Sequence, residues 1–113
     1  RSIPLSEGQL LENFVVAEFE KRRKLGLLPC DRLYYYKSVA GREVDLIFEI
    51  GPTIYAIEIK HTKNPTARDV QNLVAFREKQ KRPVKSFLFY TGLEYVKIGD
   101  IQFVPVAALC RAG

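Results

Sequence analysis

Two alternating runs joined by a turn constrain this chain more than any other feature. Glu43 to Ile50 sets Val44, Leu46, Phe48 and Ile50 on one side and Glu43, Asp45, Ile47 and Glu49 on the other. Ile54 to Lys60 sets Tyr55, Ile57 and Ile59 on one side and Ile54, Ala56, Glu58 and Lys60 on the other. Gly51-Pro52-Thr53 between them reads as a turn, so the pair reads as a hairpin. Residues of antiparallel neighbours share a face only when the connecting loop has an even number of residues. A two-residue loop at Pro52-Thr53 sets Asp45 opposite Lys60 and diagonal to Glu58, all on one face. Val44, Leu46, Phe48, Ile57 and Ile59 then share the opposite, core-facing side.

The flanking segments complete the pattern. Ser6-Glu7-Gly8-Gln9 is a Ser-x-x-Gln capping box, and Leu11, Phe14, Val15 and Phe19 follow at helical spacing, which predicts a helix over 7–24. Its basic end, Lys21 to Lys24, suits the negative pole of the helix, and Gly26 stops it. Leu33 to Lys37 reads as an aromatic strand. A second helix is expected from about Thr66, its N-cap, to Lys79, with Val70, Leu73 and Val74 on its apolar side. Val84 to Tyr90 and Ile101 to Val106 read as further strands. The order α-β-β-β-α-β-β predicts an α/β fold, a mixed sheet with helices packed on it.

At 113 residues, 47% hydrophobic and 12% aromatic, the chain has the size and the apolar content of one domain with a real core. No stretch reaches the roughly 18 apolar residues of a spanning helix, so no membrane partner is expected. Cys30 and Cys110 are too few for a disulfide framework and read as inert thiols, and one histidine offers no Cys/His zinc pattern. There is no visible signal peptide, and the expected location is cytoplasmic. The chain starts at Arg1 and has no methionine, which leads us to expect a piece of a longer protein.

A carboxylate inside an apolar strand needs a partner. Glu58 and Lys60 lie one pleat apart, and by themselves they read as an ordinary ion pair on a half-exposed strand. Asp45 on the same face changes that reading. Two carboxylates held together repel unless a cation joins them, and Mg2+ favours one or two protein carboxylates, with water and substrate phosphate filling its octahedron. A lysine beside such an ion can orient or help deprotonate an attacking water, or neutralise charge on the phosphate. On the first helix Glu12 falls between Val16 and Phe19 inside the apolar arc, and Glu18 also falls between apolar positions, so both stay candidates.

Gly41-Arg42-Glu43-Val44-Asp45, twelve intervening residues, then Glu58-Ile59-Lys60, after a helix carrying Glu12, resembles the PD-(D/E)XK nuclease superfamily, with Val44 where the superfamily pattern has proline. Leu11-Glu12-Asn13-Phe14-Val15 and Ala56-Ile57-Glu58-Ile59-Lys60 resemble more narrowly the uncharacterised domain found C-terminal to P-loop AAA-type ATPase domains in bacteria and archaea. The resemblance spans roughly Ser6 to Leu109 and implies a restriction-endonuclease-like α-β-β-β-α-β core. It implies that Asp45 and Glu58, with the backbone carbonyl of Ile59, hold Mg2+ or Mn2+, that Lys60 is the catalytic lysine, and that Glu12 is the helical acidic residue. It further implies a DNA substrate and an N-terminal ATPase domain in cis. ATP would be used only in that other domain. A non-catalytic nuclease-fold module that binds or regulates the ATPase is the alternative, and a basic protein-interaction domain is a third.

The formal charge of +5 suits an anionic partner. Glu12, Asp45, Glu58 and Lys60 together carry −2 of it, leaving +7 on the rest of the chain. The clusters Lys21 to Lys24 and Arg77, Lys79, Lys81, Arg82 and Lys85 read either as solvated helix ends or as a phosphate track. Arg42 and Arg68, with Arg22, Arg23, Lys81 and Arg82, are the candidate nucleic-acid contacts, and the resemblance implies Gln71, early in the second helix, as a further polar position near the site. The loop Lys63-Asn64-Pro65-Thr66 is expected to border the mouth of the site. Tyr34-Tyr35-Tyr36 reads as strand packing ahead of base stacking, and His61 as structural or exposed. Oligomeric state stays open, a homo-oligomer included.

Overall fold

A computed structural model describes residues 4–111. Helix α1 spans Glu7–Lys24, and its cap is the expected reciprocal box: Ser6 Oγ accepts the Gln9 amide at 3.2 Å while Gln9 Oε1 accepts the Ser6 amide at 3.2 Å. Strands β1 (Tyr34–Lys37), β2 (Glu43–Ile50) and β3 (Thr53–Ile59) follow, then helix α2 (Ala67–Glu78), capped by Thr66 and Asp69. The chain continues through β4 (Val84–Tyr90), β5 (Val96–Ile98) and β6 (Ile101–Pro105) into a 3₁₀ turn, Val106–Arg111. The sheet order is β1-β2-β3-β4-β6-β5, antiparallel from β1 to β3, parallel from β3 through β4 to β6, and antiparallel again at β5. It is the expected mixed sheet flanked by helices. No helix among the described residues is long and apolar enough to cross a membrane.

Each face of the sheet has its own core. On one, Leu73 and Phe76 of α2 pack on Val44, Ile47, Ile54, Ala56 and Leu88. On the other, Val15 and Phe19 of α1, with Val106, pack on Leu46, Phe48, Ile57, Ile59 and Phe89. Sheets with parallel crossovers are covered on both faces, and their inner strands carry apolar residues on both.

On α2, Val74 is exposed rather than on the apolar side with Leu73, and three details of the sheet depart from the expectations. The hairpin loop is Gly51-Pro52, with Ile50 paired to Thr53, so the register shifts by two residues from the Pro52-Thr53 loop expected above. Gly51 has φ +58°, the positive value that the first central position of such a loop demands. The loop stays even, but continuing the register sets Asp45 against Glu58 rather than Lys60. Second, Val44 does not share a core with Leu46 and Phe48 but packs on the α2 side. Tyr34 pairs with Ile47 and Tyr36 with Val44, so two steps on β1 match three on β2. That bulge reverses the alternation between Val44 and Ile47 and has Asp45 inside it. Third, the short strand β5 joins the sheet edge through a hairpin at Gly99-Asp100, and the last strand stops at Pro105. With three exposed residues, β5 carries no burial pattern to read.

Candidate active site

Strands β2 and β3 part at the end away from their turn, and the carboxylates occupy the split. The β2–β3 pairing runs from Ile50–Thr53 to Leu46–Ile57. Beyond it, side chains replace the ladder: Glu58 Oε1 accepts the Asp45 amide at 2.9 Å, and Asp45 Oδ2 accepts the Ile59 amide at 2.8 Å. β3 itself continues along β4, since the Lys60 amide donates to the Phe89 carbonyl at 2.9 Å. The bulge in β2 thus sets Asp45 facing Glu58 across a gap, with one oxygen of each carboxylate satisfied by the backbone.

The electrostatics follow from burial. Glu58 is 3% exposed, and desolvation first and the Asp45 charge second push its carboxyl up to about 8. Asp45 is also raised, by burial, against the lowering pull of the Ile59 amide, Glu58 and Lys60. Burial and mutual repulsion thus act together against ionising both carboxyls of the pair when no cation joins them. Lys60 stands at the mouth, 38% exposed along its side chain, its Nζ 3.9 Å from Glu58 Oε2. That distance is too long for a direct hydrogen bond, and the pull of the ammonium lowers both carboxyls without outweighing burial.

Glu12 of α1 faces the same cluster. Burial raises its carboxyl first, then the charges of Asp45 and Glu43, with Lys60 acting the other way. Glu18 instead belongs to the far half of α1, bound to Arg22 at 2.8 Å and Lys21 at 3.2 Å, and these bonds lower its pKa. Of the two acidic candidates on the helix, Glu12 is the one brought to Asp45.

The basic candidates divide by position. Arg42 leads into β2 and bonds Asn72 of α2 at 3.2 Å, while Arg68 and Gln71 are exposed on the first two turns of α2, which begins seven residues after Lys60. Arg22 and Arg23 lie ten and eleven residues along α1 from Glu12, about 15 Å away, and are held by Glu18 and Glu20, with further bonds to the Leu109 and Asp31 carbonyls. Arg82 clamps the opposite end of the hairpin, bonding Glu49 at 2.8 Å and the carbonyls of Gly51 and Pro52, with exposed Lys81 beside it. The structure does not bring these four to the carboxylates.

Sequence reasoning did not place Glu43 or Tyr35 at the site, and Tyr35, expected to pack within the strand, is exposed instead. The Tyr35 hydroxyl donates to Glu43, and this bond first, then burial and the charges of Glu43, Asp45 and Glu12, pushes the phenol up to about 12. The signal was the spacing of Glu43 two residues before Asp45. Tyr36, by contrast, is packing: its ring meets Phe76 edge-on at 4.8 Å. His61 is exposed, and the thiols of Cys30 and Cys110 are free.

Among the described residues no group of three or more His, Cys, Asp or Glu is arranged to hold a metal ion. A site here would rest on two carboxylates and a carbonyl, which suits Mg2+ and leaves positions for water and phosphate. No curated protein matches the chain. Residues 7–109 match the family described as a domain of unknown function, DUF4143, a span that runs from the start of α1 into the closing 3₁₀ turn, and the chain belongs to that family.

Proposed function

We propose that this domain is a metal-dependent nuclease of the PD-(D/E)XK kind that hydrolyses phosphodiester bonds in DNA, in the cytoplasm and joined to an ATPase domain in cis. The observation that carries the reading is the convergence of Asp45, Glu58 and Lys60 at the split end of β2 and β3. With both carboxylates ionised the pair holds more negative charge than one ammonium at 3.9 Å offsets, and a hard dication complements that form.

Asp45, Glu58 and the Ile59 carbonyl would hold Mg2+ or Mn2+. Such an ion supplies Lewis acidity to the phosphate and lowers the pKa of a water. Lys60, reaching out at the mouth, orients the attacking water and offsets the charge that grows on the phosphate oxygens. Glu12 faces the same space from α1 and fixes that water from the other side. Arg42, Arg68 and Gln71 hold the backbone phosphates flanking the scissile bond.

Cleavage of duplex, single-stranded and branched DNA with Mg2+ or Mn2+, beside Lys60→Ala and Asp45→Asn, tests this. Cutting by the wild type alone supports the reading, and equal cutting by Lys60→Ala identifies a contaminant. A second reading, a non-catalytic module that binds or regulates the ATPase, is favoured by the two backbone bonds, which give each carboxylate a role in closing the sheet. No cleavage of any substrate by protein that binds Mn2+ leaves that module.

A further inference from the structure

A cleft of about 590 Å3 lies between α2 and the β5–β6 hairpin, on the face of the sheet that α2 covers. Its volume falls within the roughly 300–1,000 Å3 of small-ligand sites. Helix α2 packs on β2, β3 and β4, and the cleft fills the angle where β6 and β5 run out beyond it. The sheet is low there, because Ser86 of β4 stands beside another small residue, Ala56 of β3. Arg82 and Pro83, just before β4, line the cleft too, and Arg82 bonds the carbonyls of Gly51 and Pro52. The cleft therefore lies toward the β2–β3 turn, at the other end of the hairpin from Asp45 and Glu58.

The lining is apolar with one unanswered polar atom. Val70, Leu73 and Val74 of α2 form one wall, and Val84, Ile101 and Ile98, the last 63% exposed, come from the sheet. Ser86 is 2% exposed, and its hydroxyl has no hydrogen-bond partner among the described residues. A buried hydroxyl left alone is costly, and protein interiors satisfy nearly all of theirs. No bond holds this one in its rotamer, so a turn about Cα–Cβ presents the oxygen to the cleft without breaking any. The charged groups answer one another instead. Arg77 of α2 is bonded to Asp100 in the β5–β6 turn, which ties the two walls together, and Arg82 is bonded to Glu49 at 2.8 Å. With Glu78 the lining holds two cations and two anions, so an ionised ligand of either sign meets a like charge. Gln80, half-buried, adds an amide.

We infer that this cleft binds a small uncharged molecule, mostly apolar, with one hydroxyl or carbonyl oxygen that bonds the Ser86 hydroxyl. The apolar body rests on the valines and isoleucines, and the hydroxyl can donate to a carbonyl or accept from an alcohol. An extended peptide fits less well, since each of its residues brings an N–H and a C=O that these walls leave unpaired. The test is NMR titration of the chain with four probes of one shape: adamantanol, chloroadamantane, adamantane carboxylate and aminoadamantane. Adamantanol is expected to shift the Val74, Ile98 and Ile101 methyl signals saturably. Ser86→Ala should weaken the alcohol about fivefold and leave chloroadamantane as it was. The two ions should bind about tenfold more weakly than the alcohol, and Val74→Trp, at an exposed position of the wall, should abolish binding of all four. Alcohol binding that Ser86→Ala leaves unchanged, ions bound as tightly as the alcohol, or no saturable shift at the cleft each overturns the assignment. Self-association that Ile98→Glu abolishes, with no probe bound, gives the cleft to a second copy and overturns it as well.

Discussion

Glu58 reaches across the parting of β2 and β3 to accept the amide of Asp45 at 2.9 Å, in the place where a backbone carbonyl would continue the sheet. Asp45 returns the exchange through the neighbouring Ile59 amide at 2.8 Å. The two carboxylates thus end the β2–β3 ladder and face each other with a charge that burial makes unfavourable.

Stability should therefore fall as the pH rises in metal-free protein. The Glu58 carboxyl is raised from 4.5 to about 8, so over that window the folded chain binds more protons than the unfolded one. Its contribution is complete below the unfolded value and is lost as the pH climbs through the folded one. With chelator present, Tm should decline from about pH 5 to about pH 8, and Glu58→Gln should flatten the decline. A Tm that rises across that range would refute the proton assignment.

A divalent ion should reverse the trend, because it binds the ionised pair. Mn2+ at about a hundredfold above its Kd should add about 2.7 kcal/mol, and more of the effect should appear at pH 8 than at pH 6. Asp45→Asn should remove the shift in a thermal melt. Calorimetric titration giving the same Mn2+ affinity for Asp45→Asn as for wild type would refute the site.

Helix α2 should depend on one of its faces only. Leu73 is 0% exposed at the centre of the α2-side core, so Leu73→Ala should cost about 2–5 kcal/mol in urea unfolding. Its exposed neighbour Val74→Ala should stay within roughly 0.5 kcal/mol.

Gly92 should resist even alanine. A Cβ there would stand 2.3 Å from Cε2 of Tyr90, a buried ring whose hydroxyl is tied to the Glu94 carbonyl at 2.5 Å. The ring has little room to yield, and Gly92→Ala should lower stability by about 1–3 kcal/mol in the same measurement.

The parts of this protein that depend on near neighbours in the chain were legible without a structure. The Ser6–Gln9 box fixed the start of α1, the alternation of Glu43–Ile50 marked β2 to the residue, and an even hairpin loop kept Asp45 and Glu58 able to meet. Period and capping are local, so residues a few positions apart carry their full information. The short strand β5 was invisible for the same reason: its three exposed residues have no local signature and owe their form to pairing with β6.

What needed the tertiary structure was the choice among equivalent residues. Glu12 and Glu18 both sit in the apolar arc of α1, and only the approach of β2 on one side and of Lys21 and Arg22 on the other separates a site carboxylate from an ion-paired one. Arg22, Arg23 and Arg82 looked as free as Arg68 until their partners at Glu18, Glu20 and Glu49 were in place. The bulge that sends Val44 to the α2 side is set by pairing with β1. The sequence by itself therefore determined which residue types could meet at the end of the hairpin. The packing of distant segments decided which of them do, because desolvation and charge pairing act through space and not along the chain.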